Sequence, residues 1–578
     1  MLPLTAKLLL LRGFEQVEDI QNFLKPTLAQ MHDPFLMKDM HKAVALILEA
    51  MEHGQRIVIH GDYDVDGVSS VSVLYEFLSN IGANVGYFIP RREVEGYGLS
   101  IETVRKLQHE GAQLLITTDC GISNVDEIQV ARSLGLKTIV VDHHTIPEQL
   151  PPAHAILNPL QVDCAFPFKK LAAVGVTFNL VVALRSTLRE RGVFQAVPEP
   201  DLKASLDLVA LGTIADVVPL VDENRIFAKV GLSVLSKRRR AGISALFERI
   251  NIDVTRATTQ TVSFQLAPRI NAAGRMGDAS ICVDLLTTRS YAKAVELSNQ
   301  LEELNKQRQQ VSRDILTQAT IQAEQQVALK RPILVLAGEG WNRGVLGIVA
   351  SQLMERFSRP AILLGMGEDG LAKGSARSTE HVDLIEALGR VSELLQTYGG
   401  HTAAAGLALP SQNVDAFKSR LPSVVHEMMH DDSLPRPKLH LDASLNMRDI
   451  DDTIMKDLQR LEPFGMGNPE PIFMSAPERA SRVQVIGKKH LRMKLHCGDM
   501  VADGFAYNMS ERRHLLEGQF SLAYVPKVTT RRGKPHLELR IKDIRPSDEP
   551  PDVHEQCSVS VPSSLTQPPP DNLLPTDS

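Results

Sequence analysis

The chain has 578 residues, 43% of them hydrophobic, and a formal charge of −6, which suits a globular protein of about three or four domains and excludes a single core. Five scattered cysteines (Cys120, Cys164, Cys282, Cys497 and Cys557) give neither a disulfide framework nor a zinc spacing. No stretch approaches a membrane span, and the Met-Leu-Pro-Leu start lacks a signal-peptide pattern, so the expected compartment is a reducing cytoplasm. After Arg545 the chain has no Lys or Arg and six acids, so residues 1–546 are close to neutral and total charge decides little about partners.

Residues 1–40 predict short helices, LTAKLLLLRG and VEDIQNFLKP the clearest, forming a packing arm. An amphipathic helix over 41–55 (Ala43, Val44, Leu46, Ile47, Ala50) ends at Gly54. The stretch that follows, IVIHGDYDVDG (57–67), is an apolar run ending in Asp62, Asp64 and Asp66, and predicts a buried strand tipped by carboxylates. Carboxylates this close repel one another, and a hard divalent cation, Mg²⁺ or Mn²⁺, is the commonest way to hold them ionised. A solvated Asp-rich turn is the alternative for this stretch alone. VSSVSVLYEFLSNIG then predicts a helix whose N-terminus meets the same spot.

ANVGYFIP, AQLLITTDCG and LKTIVVDHHT alternate with helical stretches of roughly fifteen residues, the pattern of βαβ units and a parallel sheet. Ligands gather at the carboxyl ends of such strands. Those ends carry Asp119 and Asp142-His143-His144, and LVALGTIADVVPL adds Asp216, a set sized for two ions of the Mn²⁺ or Mg²⁺ class.

FQLAPRINAAGRMG (264–277) predicts a loop in which Arg269 and Arg275 either fork a phosphate or make ordinary surface pairs. Residues 291–330 predict a long helix bridging two domains, a free coiled coil being the alternative. A second α/β domain runs to about 430, with three predicted glycine-rich turns, GWNRGVLG, KGSARS and YGGHTAAAG, that let Ser375, Arg377 and His401 approach an anion. Residues 437–546 predict five or so strands, a small barrel of the oligonucleotide-binding type. Lys488, Lys489, Arg492, Lys494, Lys527, Arg531, Arg532 and Lys534 cluster there with Phe505, Tyr507 and Tyr524, which read either as a stacking platform for single strands or as barrel core. The Pro-, Ser- and acid-rich segment 547–578 predicts disorder.

GDYDVDG (61–67), TTDCG (117–121), VDHH (141–144) and GTIADVVPL (212–220), followed by RINAAGR, GSARS and GGHTAAAG, resemble the DHH phosphoesterase superfamily, most closely its RecJ single-stranded-DNA exonuclease branch. The resemblance covers about residues 1–546 in order. It implies an α/β architecture: a helical arm (1–40), a parallel-sheet DHH catalytic domain (41–290), a connecting helix (291–330), a DHH-associated domain (331–430) and an oligonucleotide-binding barrel (437–546), then the tail (547–578). The implied activity is 5′-to-3′ hydrolysis of single-stranded DNA in repair and recombination, using two Mn²⁺ or Mg²⁺ ions.

Carried over residue by residue, Asp64, Asp66, Asp119, His143 and Asp216 match the core metal ligands, with Asp62 a further ligand or a supporting acid. The resemblance implies that Asp142 would orient the histidine pair and that His144 would face the scissile phosphate. Ser375, Arg377 and Arg275 resemble the pocket for a 5′-terminal phosphate, and His401, beside Gly399 and Gly400, resembles the phosphate-contacting histidine of the GGH loop. His60 stands where other branches place a ligand, which leaves it open beside Asp62; Asn342 replaces a histidine common in relatives and stays out of the site. Single-stranded DNA is the expected partner, with a helicase and a single-strand-binding protein as candidate protein partners, no membrane, and a monomeric state. A phosphodiesterase for short oligoribonucleotides or cyclic dinucleotides is the competing enzyme, but it has no use for the basic barrel. A non-catalytic scaffold is the third reading, and the filled acidic positions argue against it.

Overall fold

The computed structural model describes residues 1–546 except 93, 97, 253–255, 380, 430–438, 476, 478 and 532–533. The expectation for the tail, and those for the side chains of Arg531, Arg532 and Lys534, lie outside the described residues. The chain folds into two compact units: one comprises His32–Asp216 and Gly231–Lys438, the other Met1–Met31, Val217–Val230 and the residues from Leu439 on.

The larger unit is built on two sheets. In the first, β1 (Arg56–Gly61), β2 (Val85–Phe88), β3 (Ala112–Thr118), β4 (Lys137–Val141) and β5 (Ala155–Leu157) are all parallel, in the order β2-β1-β3-β4-β5. Every residue of β1 after Arg56 is buried, because helices cover both faces, and this is why the strand reads as one apolar run. In the second sheet, β6 (Leu334–Glu339), β7 (Ala361–Met366), β8 (Leu371–Arg377), β9 (Thr397–His401) and β10 (Ala404–Pro410) take the order β6-β7-β8-β10-β9, parallel only between β6 and β7.

A 38-residue helix, Tyr291–Ala328, about 57 Å long, joins them. Ser290 caps it by accepting from the Lys293 N–H. Its buried stripe runs from Ala294, Leu297 and Leu301 to Ile315, Ala319 and Ala323, the last three packing with Leu334 and Leu336 of β6. Two glutamines on this helix serve as a surrogate strand for the edge of β6. Gln326 donates to the Val335 carbonyl at 2.7 Å and accepts from its N–H at 3.0 Å, and Gln322 does the same for Ala337 at 2.9 and 3.3 Å. An exposed sheet edge is thereby satisfied without another chain.

The segment 264–277 is a helix, Ala267–Met276, rather than the expected loop. KGSARS and YGGH are likewise strands β8 and β9 rather than turns, since their glycines let neighbouring strands pack closely: a Cβ on Gly374 would stand 2.5 Å from Leu364 Cδ2.

The smaller unit holds a seven-stranded, mostly antiparallel sheet. Its strands are β11 (Ala443–Ser444), β12 (Phe473–Ser475), β13 (Arg479–Ile486), β14 (His490–Cys497), β15 (Met500–Ala506), β16 (Phe520–Arg531) and β17 (Lys534–Pro546), in the order β11-β12-β16-β17-β15-β14-β13. The N-terminal helices Pro3–Leu11 and Val17–Leu24 bury Leu8, Leu9, Ile20, Phe23 and Leu24 in this sheet's core. Arg225 ties the unit together: its guanidinium donates to the carbonyls of Phe23, Leu461, Glu462 and Pro463 and lies 3.6 Å from the Phe23 ring centroid.

Tyr524 does not serve as a stacking face: it is fully buried and its hydroxyl donates to the Leu445 carbonyl at 2.6 Å. A break in register between Ala523 and Tyr524 changes which face the strand presents, so simple alternation misplaces it. Lys494 and Lys527 are bound in ion pairs with Asp503 and Glu470, whereas Lys488, Lys489 and Arg492 are exposed.

Candidate active site

The tips of β1, β3 and β4 and the C-terminus of the helix Leu206–Ala215 converge. Asp64 caps the helix Val65–Asn80, its Oδ1 accepting from the N–H groups of Asp66 and Gly67 at 2.9 and 3.1 Å. Only glycine fits at position 67, because a Cβ there would stand 2.5 Å from the Asp62 carbonyl oxygen. Asp66 is fixed from the opposite side, accepting from Ala173 N at 2.7 Å and Val174 N at 2.9 Å at the start of the helix Ala173–Glu190. Asp119 sits past the end of β3 with φ of 62°, a turn that Asp tolerates better than most residues. Asp216 caps the helix Leu206–Ala215.

These residues form overlapping groups whose ligand atoms lie within 4.8 Å of one another: Asp62, Asp64 and Asp119; Asp66, His143 and Asp216; and Asp119, His143 and His144. His143 Nε2 lies 3.3 Å from Asp119 Oδ1, 3.7 Å from Asp216 Oδ2 and 4.0 Å from Asp66 Oδ2. Asp62 Oδ1 and His143 Nε2 are buried without a hydrogen-bond partner among the described residues. Orphaned buried donors and acceptors are costly, and a cation among them removes that cost, so the donor set fits a hard divalent ion.

The electrostatics agree. Burial, followed by repulsion from Asp64, pushes Asp66 up to about 7, and burial with repulsion from Asp66 and Asp64 pushes Asp216 up to about 9. Asp62 and Asp119 are pushed well above the carboxylate range, again by burial first and then by neighbouring aspartates. Asp142 behaves differently. Burial would raise it, but the hydrogen bond from His144 and the backbone N–H groups that point at it hold it below its usual value. Its Oδ1 accepts from His144 Nδ1 at 2.7 Å and from the His143 and His144 N–H groups, and its Oδ2 from Ile122 N. His144 is in turn raised to about 9, since the Asp142 bond and the surrounding carboxylates outweigh its burial.

His60 belongs to none of these groups. It is fully buried, its ring stacks on Phe88 and its Nδ1 lies 3.5 Å from Cys120 Sγ.

Beside the acidic cluster lies a cavity of about 240 Å³ lined by Asp62, Tyr63, Asp64, Arg92, Asn271 and Arg275. Asn271 accepts from Val65 N at 3.1 Å, Arg92 stacks over Tyr63 at 5.1 Å, and Arg275 donates to the Gly344 carbonyl at 2.6 Å. Arg377 donates to Ser375 Oγ at 3.0 Å; a Cβ on Gly347 would stand 2.8 Å from its Nη2. Burial lowers Arg275 and Arg377, and Arg92 lowers both further, which marks the three guanidiniums as neighbours. None of the three has a carboxylate within ion-pair distance among the described residues, so their charge is available to an anion. Arg269 is different: it is paired with Glu302 at 2.6 Å and is no phosphate fork. Asn342 serves its own turn, accepting from Gly344 N.

Gly399, Gly400 and His401 lie exposed on β9. His401 pairs with Ala404, whose other neighbour is Arg377, placing it two strands, about 10 Å, from the arginine. Sequence reasoning missed Arg92, Tyr63 and Asn271. Arg92 follows the end of β2 as the second of two arginines, and Asn271 stands inside the RINAAGR motif; those were the available signals. In the smaller unit, His490, Phe505 and the half-exposed Tyr507 form a ring cluster, with Phe505 and Tyr507 centroids 4.6 Å apart, beside the exposed Arg492.

Three family models match the chain: the DHH family N-terminal domain over residues 56–213, the DHHA1 domain over 330–427 and the RecJ OB domain over 441–543. The chain is 38% identical to the single-stranded-DNA-specific exonuclease RecJ of Bacillus subtilis, over 94% of this chain and 68% of that protein. It is 35% identical to the Escherichia coli protein of the same name, over 94% and 96%. Among solved structures, RecJ of Thermus thermophilus in complex with Mn²⁺ matches with a TM-score of 0.80 and 32% identity, over 94% of this chain and 76% of that one. The same protein with Mg²⁺ matches with a TM-score of 0.74 and 30% identity, over 94% and 74%.

Proposed function

Because the chain belongs to the RecJ family of single-stranded-DNA-specific exonucleases, we propose that it removes nucleotides from the 5′ end of single-stranded DNA by hydrolysis at a pair of divalent cations. It is a metal-dependent hydrolase of the DHH family with an oligonucleotide-binding domain. The observation that carries the reading is the meeting, in one unit, of two Asp- and His-bearing triads with an unneutralised arginine pocket.

Asp62, Asp64 and Asp119 would hold one ion and Asp66, His143 and Asp216 the other, with Asp119 close to both. Mn²⁺ or Mg²⁺ bound there supplies Lewis acidity to the phosphoryl group and a lowered pKa to the attacking water. Asp142 fixes the His144 ring through Nδ1 and leaves Nε2 for a phosphoryl oxygen. Arg92, Arg275 and Arg377, with Ser375, would seat the terminal 5′-phosphate beside the cluster, which supports the polarity. Gly399, Gly400 and His401 offer exposed amides and an imidazole along the strand's path. The exposed Lys488, Lys489 and Arg492 with the Phe505 and Tyr507 rings suit single-strand binding by the smaller unit.

An enzyme confined to single strands calls for a helicase to expose them and works among single-strand-binding proteins, as a cytoplasmic monomer in repair and recombination. No described helix is long and apolar enough to cross a membrane. The test is digestion of matched single strands labelled at the 5′ or the 3′ end, with Mn²⁺ or Mg²⁺. Release of the 5′ label as a mononucleotide ahead of the 3′ label is expected; the reverse order overturns the polarity.

A further inference from the structure

The first three N–H groups of the helix Val65–Asn80 are all bonded within the protein. Asp64 Oδ1 takes those of Asp66 and Gly67, and Val65 gives its own to Asn271 Oδ1 at 3.1 Å, 206 residues further along the chain. The helix end beside Asp62 and Asp64 therefore has none of them to offer a phosphate. The Val65 bond also fixes which way the Asn271 amide faces. A backbone N–H needs an acceptor, so Oδ1 points at Val65 and the NH2 group is turned away from it. Among the described residues this is the only hydrogen bond of the Asn271 side chain, and Asn271 lines the cavity of about 240 Å³ beside the acidic cluster. Two N–H donors are left over in the wall of that cavity.

The neighbours of this amide give it a task. Arg275 stands four residues on, one turn along the same face of the helix Ala267–Met276 and about 6 Å away. Arg92 and Arg275 line the cavity and attract a phosphate, but Asp62 and Asp64 line it too and repel one. A cation at position 271 would be drawn into an ion pair with those carboxylates. A neutral amide, held between the guanidinium of Arg275 and the backbone that follows Asp64, instead offers donors on the side where the neighbouring charges oppose the anion. Its oxygen already accepts a bond, which strengthens its N–H groups as donors.

We propose that the Asn271 NH2 group donates to an oxygen of the strand's 5′-terminal phosphate, on the side of the seat nearest Asp64. This rests on the exonuclease reading and its phosphate seat, and adds to the arginines a neutral donor that helps select a phosphorylated end.

The test uses the full-length protein with Mn²⁺ and matched single strands ending in a 5′-phosphate or a 5′-hydroxyl. It reads the ratio of kcat/KM for the two ends beside the thermal midpoint. Asn271→Asp keeps an oxygen for the Val65 N–H and replaces the NH2 group with a second oxygen, whereas Asn271→Ala removes both. Asn271→Asp should match or exceed the wild-type midpoint, because a carboxylate is a good acceptor at a helix N-terminus, yet lower the preference for a 5′-phosphate about tenfold or more. Asn271→Ala should lower the midpoint and lower the preference about tenfold. A merely structural Asn271 would instead leave Asn271→Asp with both its midpoint and its preference. The wild-type preference retained in either variant overturns the proposal while leaving the exonuclease reading intact. Wild type that digests single strands without favouring a 5′-phosphate overturns the seat and the proposal together. Wild type that digests no single strand overturns the exonuclease reading itself.

Discussion

His143 and His144 are adjacent in the chain but turned to different tasks: their rings are 4.6 Å apart and inclined at 60°, with His143 Nε2 directed at Asp119 while His144 Nδ1 binds Asp142 at 2.7 Å. Asp142→Asn keeps the size of the side chain and removes the charge that orients His144. The expected result is a loss of about 10–100-fold in kcat with little change in strand affinity, read from single-turnover cleavage and equilibrium binding. An unchanged kcat would show that His144 needs no orienting partner.

Asp119 belongs to two of the three groups and Asp216 to one. Asp119→Ala should therefore abolish cleavage and lower the number of bound Mn²⁺ ions more than Asp216→Ala does, with single-strand binding largely retained in both. Elemental analysis of metal-loaded protein beside a filter-binding assay makes the comparison. Near-normal turnover by Asp119→Ala at saturating Mn²⁺ would remove it from the site.

The buried carboxylates couple the metal to pH. Asp66 and Asp216, raised to about 7 and about 9, hold protons in the metal-free native state that the unfolded chain has released above about pH 4. Native protein therefore binds more protons than unfolded protein across that window, and these groups' contribution to metal-free stability falls as pH rises through about 7 to 9. Cation binding displaces those protons, so the rise in thermal midpoint caused by Mn²⁺ should grow between roughly pH 5.5 and 8.5. An increment independent of pH would contradict this charge arrangement.

Arg377 reaches Ser375 and shares its surroundings with Arg92. Arg377→Ala should reduce the preference for a 5′-phosphate over a 5′-hydroxyl by about 1.5–3 kcal/mol, the scale of a hydrogen bond to a charged group. Competition between the two strand types measures it. Equal losses on both would assign Arg377 to structure alone.

The acidic end of the fold was legible because carboxylates just past apolar runs break a local pattern: Asp62, Asp119 and Asp142 follow directly on the ends of buried strands, and Asp64 and Asp66 cap and open the helix after the first of them. Arg92 and Tyr63 were hidden because their meeting with Arg275 joins residues far apart in the chain. The helix Ala267–Met276 was hidden by Pro268, which signals a loop locally yet is absorbed by a π turn, Val262–Leu266. Tyr524 was ambiguous for the same kind of reason, since a register break decides its face. Arg225 gathers carbonyls from the N-terminal helix Val17–Leu24 and from the turn 461–463, a contact no periodicity announces.

Six side chains from strand and helix ends would hold the two cations. Anomalous diffraction from crystals grown with Mn²⁺ tests this most directly. Two peaks are expected, one among Asp62, Asp64 and Asp119 and one among Asp66, His143 and Asp216. A single peak, or a pair of peaks away from these residues, would contradict it.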